Sequence, residues 1–160
     1  MLAIDLRGHG QSLEKNKQRI SYVSFREQDF LDMIKDIEAA KEFLQEQGTS
    51  DISIIGASLG ANLALSIAAR DADIKKIVAL SPGLNYKGLK PQDDVKKITI
   101  PVMLVASEDD VYSAMSVRTL EGVMHKEKKV KMLVKADHGT RMLQHESKLK
   151  NEILEFLEKN

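Results

Sequence analysis

The fold of this chain is decided by one short stretch, Ile52-Ser53-Ile54-Ile55-Gly56-Ala57-Ser58-Leu59-Gly60. Its isoleucine-rich beginning is typical of a buried strand, and the small and apolar residues of 59–70 follow at helical spacing. A strand that turns directly into a helix strains the backbone at the turn, which neighbours with almost no side chain make tolerable. Gly56 and Gly60 are such neighbours, so we expect Ser58 to stand above the edge of a sheet.

A serine at such a turn is well placed to act as a nucleophile. Its hydroxyl stands at a helix N-terminus, where the helix dipole and the free N–H groups favour developing negative charge. The backbone N–H of Leu59 is therefore a candidate donor to an oxyanion. The alternative is a turn that only joins a strand to a helix, but the elements on both sides of Ser58 favour the catalytic interpretation.

A serine hydroxyl is a weak nucleophile, so the chain must also supply a base and a group that orients the base. The candidate base is His138, in the segment Ala136-Asp137-His138-Gly139 just after the strand predicted at 130–134. A loop at the carboxyl edge of the sheet would bring this imidazole to Ser58.

The orienting acid is expected after the preceding strand, in the segment Ser107-Glu108-Asp109-Asp110. Asp110 is the first candidate and Asp109 the second, because a carboxylate here would hold the imidazole and offset its positive charge. A charged cluster in a loop is usually only solvated. Its position in the chain between Ser58 and His138 favours the catalytic role.

The rest of the chain alternates predicted strands with predicted helices. Strands are predicted at residues 1–5, 52–55, 74–80, 98–106 and 130–134. Helices are predicted at residues 25–47, 59–70, 114–125 and 147–157. Parallel strands need crossover connections and are buried on both faces, so this order predicts an α/β fold. The expected architecture is a mostly parallel sheet of about five strands with helices on both faces.

Four motifs together resemble the α/β-hydrolase superfamily. They are Asp5-Leu6-Arg7-Gly8-His9-Gly10-Gln11-Ser12, the turn around Ser58, the segment 106–110 and Asp137-His138-Gly139. The resemblance implies a hydrolase in which Ser58 is the nucleophile, Asp110 the acid and His138 the base. It also implies that the Leu59 N–H is one oxyanion donor. Arg7 and His9 belong to the family's strand-exit turn, and we expect them to order that loop.

The chain departs from the family pattern at its N-terminus. Residues 1–160 correspond to a single domain, the C-terminal portion of the family fold, without its first three strands and without the loop that supplies the second oxyanion donor. Either the sequence is a fragment of a longer protein, or the strand at 1–5 pairs directly with that at 52–55, or another chain fills the gap. An unfilled gap exposes unpaired backbone, which favours self-association through the incomplete sheet edge.

Composition excludes several classes of function. The 24 Lys+Arg balance 24 Asp+Glu and aromatic residues make up 4%, so nucleic acid is not an expected partner. No run approaches the roughly 20 apolar residues of a membrane span and no signal segment is present, so we expect a cytoplasmic protein without a membrane span. The absence of Cys excludes disulfides and a Cys nucleophile. The predicted chemistry needs no cofactor and no metal.

The substrate is predicted only by class. The segment 82–97 is too short for the lid domain that many lipases insert there, so we expect an open site. Such a site resembles the capless esterases and the dienelactone-hydrolase-like and serine-aminopeptidase-like branches, which implies a small acyl or ester substrate. Two alternatives stay open. One is an acyltransferase with the same three residues, and the other is an inactive truncated domain that associates with a partner or with itself.

Overall fold

The computed structural model of the chain describes residues 1–125 and 127–159. They divide into two units, Met1–Ser50 and a second unit that begins at Asp51. The first unit contains an antiparallel hairpin, a 3₁₀ turn and two helices, which are β1 (Glu14–Lys15), β2 (Gln18–Arg19), Tyr22–Ser24, α1 (Glu27–Leu31) and α2 (Ile34–Glu46). The described part of the second unit contains β3 (Ile52–Ala57), α3 (Leu59–Ala68), β4 (Ile74–Leu80), β5 (Val102–Ser107), α4 (Val111–Val123), β6 (Lys128–Leu133), a 3₁₀ turn (Gly139–Arg141), α5 (Met142–His145) and α6 (Leu149–Glu158).

A parallel sheet in the order β3-β4-β5-β6 forms the centre of the second unit. Helix α3 packs on β3 and β4, and α4 packs on β5 and β6. Val78 and Leu80 lie two residues apart on one face of β4 and share a buried cluster with Leu149 of α6. This architecture confirms the predicted α/β fold. Among the described residues, no helix is both long enough and apolar enough to cross a bilayer.

The strand predicted at 1–5 is wrong. These residues are not in a strand, and the side chains of Met1, Leu2 and Ile4 are exposed. A strand forms when a neighbour pairs with its backbone, and within the described residues β3 pairs only with β4. Over the described residues, this sheet therefore has four strands instead of about five.

The helix predicted at 25–47 is divided into α1 and α2. Asp32 lies at the break, where its carboxylate accepts hydrogen bonds from the side chains of Gln28 and Lys35. Asp disfavours helix interiors because its short polar side chain competes with the helical hydrogen bonds. The predicted strand at 98–106 begins only at Val102, since Pro101 has no N–H to give to a neighbouring strand.

Arg7 and His9 order the turn of the first unit. Nη2 of Arg7 lies 2.6 Å from Oδ1 of Asp36, and the backbone N–H of Arg7 donates to the same carboxylate at 2.9 Å. The His9 ring stacks on Tyr22 with 4.3 Å between ring centroids. These contacts agree with the structural role that the sequence predicts for both side chains.

Candidate active site

Ser58 lies between β3 and α3 in a strained backbone conformation, with φ 54° and ψ −119°. A positive φ is uncommon for any residue that carries a side chain. The backbone N–H of Ser58 donates to the carbonyl of Leu80 at 2.8 Å, which fixes the turn against the end of β4. The side chain is thereby held at the carboxyl edge of the sheet, where the sequence predicts it.

Gly56 is required by the close approach of the helix to the strand. A Cβ on Gly56 would lie 2.2 Å from the carbonyl oxygen of Gly60 and 2.8 Å from the backbone nitrogen of Ala61. A Cβ on Gly60 would meet no atom within 4 Å. Gly60 therefore matters for the position of its backbone carbonyl, which lies close to Gly56, and a side chain at Gly60 would have room. Of these two positions, only Gly56 requires the absence of a side chain.

Leu59 is the first residue of α3. The first N–H groups of a helix have no carbonyl of the same helix to which they can donate. The Leu59 N–H follows Ser58 directly, and the positive end of the helix dipole adds to its field. The arrangement suits an oxyanion donor next to the Ser58 hydroxyl.

Asp110 and His138 form a direct pair. Oδ2 of Asp110 lies 2.6 Å from Nδ1 of His138, and the side chains are 16% and 40% exposed, so the acid is sheltered while the imidazole remains accessible. Asp110 also caps α4, because its carboxylate accepts from the backbone N–H of Ser113 at 3.3 Å.

The pKa of Asp110 is lowered from its ordinary value. Burial acts to raise this pKa, but hydrogen bonds from Ser113 and His138 stabilise the carboxylate and outweigh burial. A charged carboxylate can only accept, so Nδ1 of His138 must donate to it. In the neutral ring, Nε2 then carries the lone pair that a general base needs.

Asp109, the second candidate acid, has other partners. Its carboxylate accepts a hydrogen bond from the Ser107 hydroxyl and another from the backbone N–H of Asp137 at 3.3 Å. The Ser107 hydrogen bond is the main cause of its lowered pKa. The geometry therefore favours Asp110 as the partner of the imidazole. Among the described residues, no group of three or more His, Asp or Glu side chains is placed to hold a metal ion.

Two buried serines hold the loop that carries His138. The Ser107 hydroxyl accepts from the backbone N–H of Ala136, and the Ser81 hydroxyl accepts from that of Gly139, both at 2.8 Å. Ser107 ends β5 and Ser81 follows β4 directly, so the ends of two strands fix both sides of the histidine. Sequence analysis assigned neither serine this role, since their partners are 29 and 58 residues away.

Tyr86 is the clearest site residue that sequence analysis missed. Its ring meets that of His138 edge to face, with 6.4 Å between centroids and an interplanar angle of 88°. Its hydroxyl lies 3.1 Å from Oγ of Ser113. Burial raises the pKa of Tyr86, while hydrogen bonds with Ser113 and Ser58 act in the opposite direction. The only sequence signal was an aromatic residue five positions after a strand-end serine.

Comparison with known proteins identifies the family. The family model for serine aminopeptidase, S33, matches residues 1–92. This chain belongs to that family. The predicted α/β-hydrolase superfamily is thereby confirmed, with the support of the solved structures below. The S33 match contains Ser58, whereas Asp110 and His138 lie beyond it.

Solved structures share the fold of this S33 chain. A lipase-esterase related protein from Clostridium acetobutylicum has a TM-score of 0.69 and 16% identity, over 95% of this chain and 81% of that one. An acylaminoacyl peptidase from Pyrococcus horikoshii has a TM-score of 0.67 and 18% identity, over 94% and 31%. An esterase domain of a Rhodothermus marinus protein has a TM-score of 0.60 and 20% identity, over 66% and 58%. The S33 chain thus spans 58% of the Rhodothermus esterase domain and 31% of the peptidase. No curated protein matches it.

The loop that carries Tyr86 is fastened to α3 and α4. The buried amide of Asn62 donates to the carbonyls of Gly83 and Leu89 at 2.8 and 2.9 Å and accepts from the N–H of Gly83 at 2.9 Å. The hydroxyl of Tyr112 accepts from the backbone N–H of Asn85 at 2.8 Å and donates to its carbonyl at 3.1 Å. In the S33 chain these contacts hold the segment 82–97 in place. This is the segment that the sequence predicts to be too short for a lid domain.

Asp110 should make the stability of the folded chain depend on pH in the acid range. Its pKa is lowered on folding, so the unfolded chain binds the proton more readily. The stabilisation by its charged form is complete above the ordinary value of 3.8 and is lost as pH falls through the lower folded value. Chemical denaturation from neutral to strongly acid pH measures this. The free-energy difference between wild type and Asp110→Asn should shrink as pH falls, and a constant difference would contradict the assignment.

Proposed function

We propose that this chain is a serine hydrolase that cleaves a carboxylic ester or another small acyl substrate through an acyl-enzyme on Ser58. One observation carries the proposal. A serine in a strained strand-to-helix turn and a directly paired Asp110 and His138 occupy the same edge of one sheet. The membership of the S33 family and the fold shared with esterases and an acylaminoacyl peptidase support the same class of chemistry.

The mechanism follows from the donors and acceptors of the site. Nε2 of His138 takes the proton of the Ser58 hydroxyl while Oγ attacks the substrate carbonyl carbon. Asp110 holds the imidazole and offsets its positive charge. The Leu59 N–H donates to the oxyanion, and His138 returns the proton to the leaving alcohol or amine. Water then attacks the acyl-enzyme, with His138 again as the base, and the carboxylic acid is released.

The substrate proposal is limited to small acyl compounds with an accessible carbonyl. The His138 side chain is 40% exposed, so the reacting edge is open to solvent. Asn62 and Tyr112 hold the segment between β4 and β5 by hydrogen bonds to its backbone. This segment forms no lid over the reacting edge. An open site of this kind suits a substrate that is held mainly at its reacting group.

A fluorophosphonate probe tests the proposal, because it reacts with an activated serine and requires no knowledge of the substrate. Wild-type protein should be labelled covalently at Ser58, as located by peptide mass spectrometry, while Ser58→Ala should remain unlabelled. Ser53→Ala, which removes a serine from within β3, serves as the matched control and should be labelled like wild type.

Failure of labelling in a folded wild-type sample would count against the proposal. That outcome would favour the second candidate, an inactive domain that associates through β3. This strand lies at the edge of the described sheet, and the side chain of Ile55 on it is 50% exposed. Circular dichroism establishes folding, and sedimentation velocity establishes association.

A further inference from the structure

Two tyrosine rings continue outward from the imidazole of His138. The ring of Tyr86 meets the imidazole edge to face, and the ring of Tyr112 meets that of Tyr86 with 5.5 Å between centroids and an interplanar angle of 64°. Both tyrosine rings pack against Gly83, where a Cβ would lie 2.7 Å from the first ring and 2.8 Å from the second. The rings therefore form one aromatic surface that begins at His138.

The first turns of α4 extend this surface with exposed apolar side chains. Val111 and Met115 are 64% and 62% exposed, and Tyr112 is 45% exposed. Residues three and four positions apart are neighbours on the surface of a helix, so Met115 adjoins both Val111 and Tyr112. Adjoining apolar side chains that remain exposed indicate a surface that contacts a ligand or a partner. The surface begins directly after Asp110, which holds the imidazole.

The chemistry of the imidazole decides which part of a substrate meets this surface. His138 takes the proton of Ser58 and later returns it to the oxygen or nitrogen atom of the leaving group. That atom must therefore come within hydrogen-bond distance of the imidazole. The acyl group stays bonded to Ser58, while the leaving group departs on the side of the histidine. A surface that begins at His138 is thus placed to contact the leaving group.

We propose that the apolar surface formed by Tyr86, Val111, Tyr112 and Met115 binds the leaving group of the substrate, and that this group carries an alkyl chain or an aromatic ring. This inference rests on the proposed function of Ser58 as the nucleophile and His138 as the base. It narrows the substrate class to small acyl esters of apolar alcohols. Contact with such an alcohol removes apolar area of both partners from water, which adds to the contacts at the reacting group.

Alkyl acetates with alcohols of increasing length test the inference. Ethyl, butyl and hexyl acetate share one acyl group and form the same acetyl-enzyme, so their kcat/KM values differ only in the steps up to the release of the alcohol. In wild-type protein, kcat/KM should rise about tenfold from ethyl to hexyl acetate, as expected when the added CH₂ groups are partly removed from water.

Val111→Thr combined with Met115→Gln makes this surface polar and keeps its shape. Each new side chain has nearly the size of the original, and both positions are exposed, so the double variant should fold. The rise in kcat/KM from ethyl to hexyl acetate should then be less than about threefold. Leu154→Gln is the matched control, because it makes the same kind of change at an exposed position of α6 and should keep the wild-type rise.

Ethyl acetate and ethyl hexanoate distinguish the leaving group from the acyl group. These esters share one alcohol and differ in the length of the acyl chain. The double variant should keep the ratio of their two kcat/KM values within about twofold of the wild-type ratio. A loss of selectivity among acyl chains, with that among alcohols unchanged, would place the acyl group on the surface and overturn the inference.

Four further results would overturn the inference while the proposed function stands. They are equal kcat/KM values for ethyl and hexyl acetate in wild-type protein, an unchanged rise in the double variant, an equal loss of the rise in Leu154→Gln, and wild-type protein that reacts with the fluorophosphonate but hydrolyses none of these esters. Folded wild-type protein that neither reacts with the probe nor hydrolyses an ester would overturn the proposed function itself.

Two measurements on the same variants complete the test. Sedimentation velocity shows whether wild-type protein associates, and association that the double variant abolishes would assign the surface to a contact between copies and overturn the inference. Thermal unfolding establishes that each variant is folded. If the double variant does not fold, Met115→Gln alone decides the question, and an unchanged rise from ethyl to hexyl acetate would overturn the inference.

Discussion

Replacing Asp110 by Asn is expected to lower kcat/KM for ester hydrolysis by about 10⁴-fold. The carboxylate now accepts the Nδ1–H of His138 at 2.6 Å. An amide can present its NH₂ group there and select the opposite ring tautomer, in which Nε2 carries the proton and cannot act as a base. Asn is also a good N-cap, so α4 should keep its start and the variant should fold. Steady-state kinetics with a nitrophenyl ester measures the loss.

Asp109→Asn is the matched control, since it makes the same chemical change at the adjacent position. The Asp109 carboxylate bonds to Ser107 and to the backbone of Asp137, so its loss loosens the histidine loop without removing the partner of the imidazole. We expect its kcat/KM to fall less than about tenfold. Equal losses in the two variants, or the larger loss in Asp109→Asn, would remove Asp110 from the proposed mechanism.

Replacing Gly56 by Ala is expected to destabilise the fold by about 3 kcal/mol or more. The added methyl group would lie 2.2 Å from the carbonyl oxygen of Gly60, and the neighbouring atoms are backbone, which cannot move aside as a flexible side chain can. The first turn of α3 would have to withdraw from β3. Urea denaturation followed by circular dichroism measures the change in the free energy of unfolding.

Gly60→Ala provides the comparison within the same turn. Its Cβ would meet no atom within 4 Å, and Ala favours a helix over Gly by about 1 kcal/mol. We therefore expect Gly60→Ala to be neutral or slightly stabilising. A loss of stability at Gly60 as large as that at Gly56 would show that the packing of α3 on β3 does not set the requirement for glycine.

Local sequence predicted the turn at Ser58, the strand and the helix that flank it, and the chain order of Ser58, Asp110 and His138. These features depend on residues that are close together in the chain, since glycine spacing and apolar periodicity act over one turn or one strand. The α/β fold followed from the alternation of such elements, and the structure and the S33 match confirm it.

Tertiary structure decided the remaining features because each depends on groups that are distant in the chain. An apolar run at 1–5 looks like a strand, but without a pairing neighbour it does not become one. The sequence ranks Asp110 before Asp109, but only the approach of the histidine loop, 28 residues away, gives Asp110 the imidazole as its partner. The hydroxyl of Tyr86 reaches Ser113 across 27 residues. Hydrogen bonds have short reach and strict direction, so their partners are fixed only when the packed strands bring those side chains to one edge.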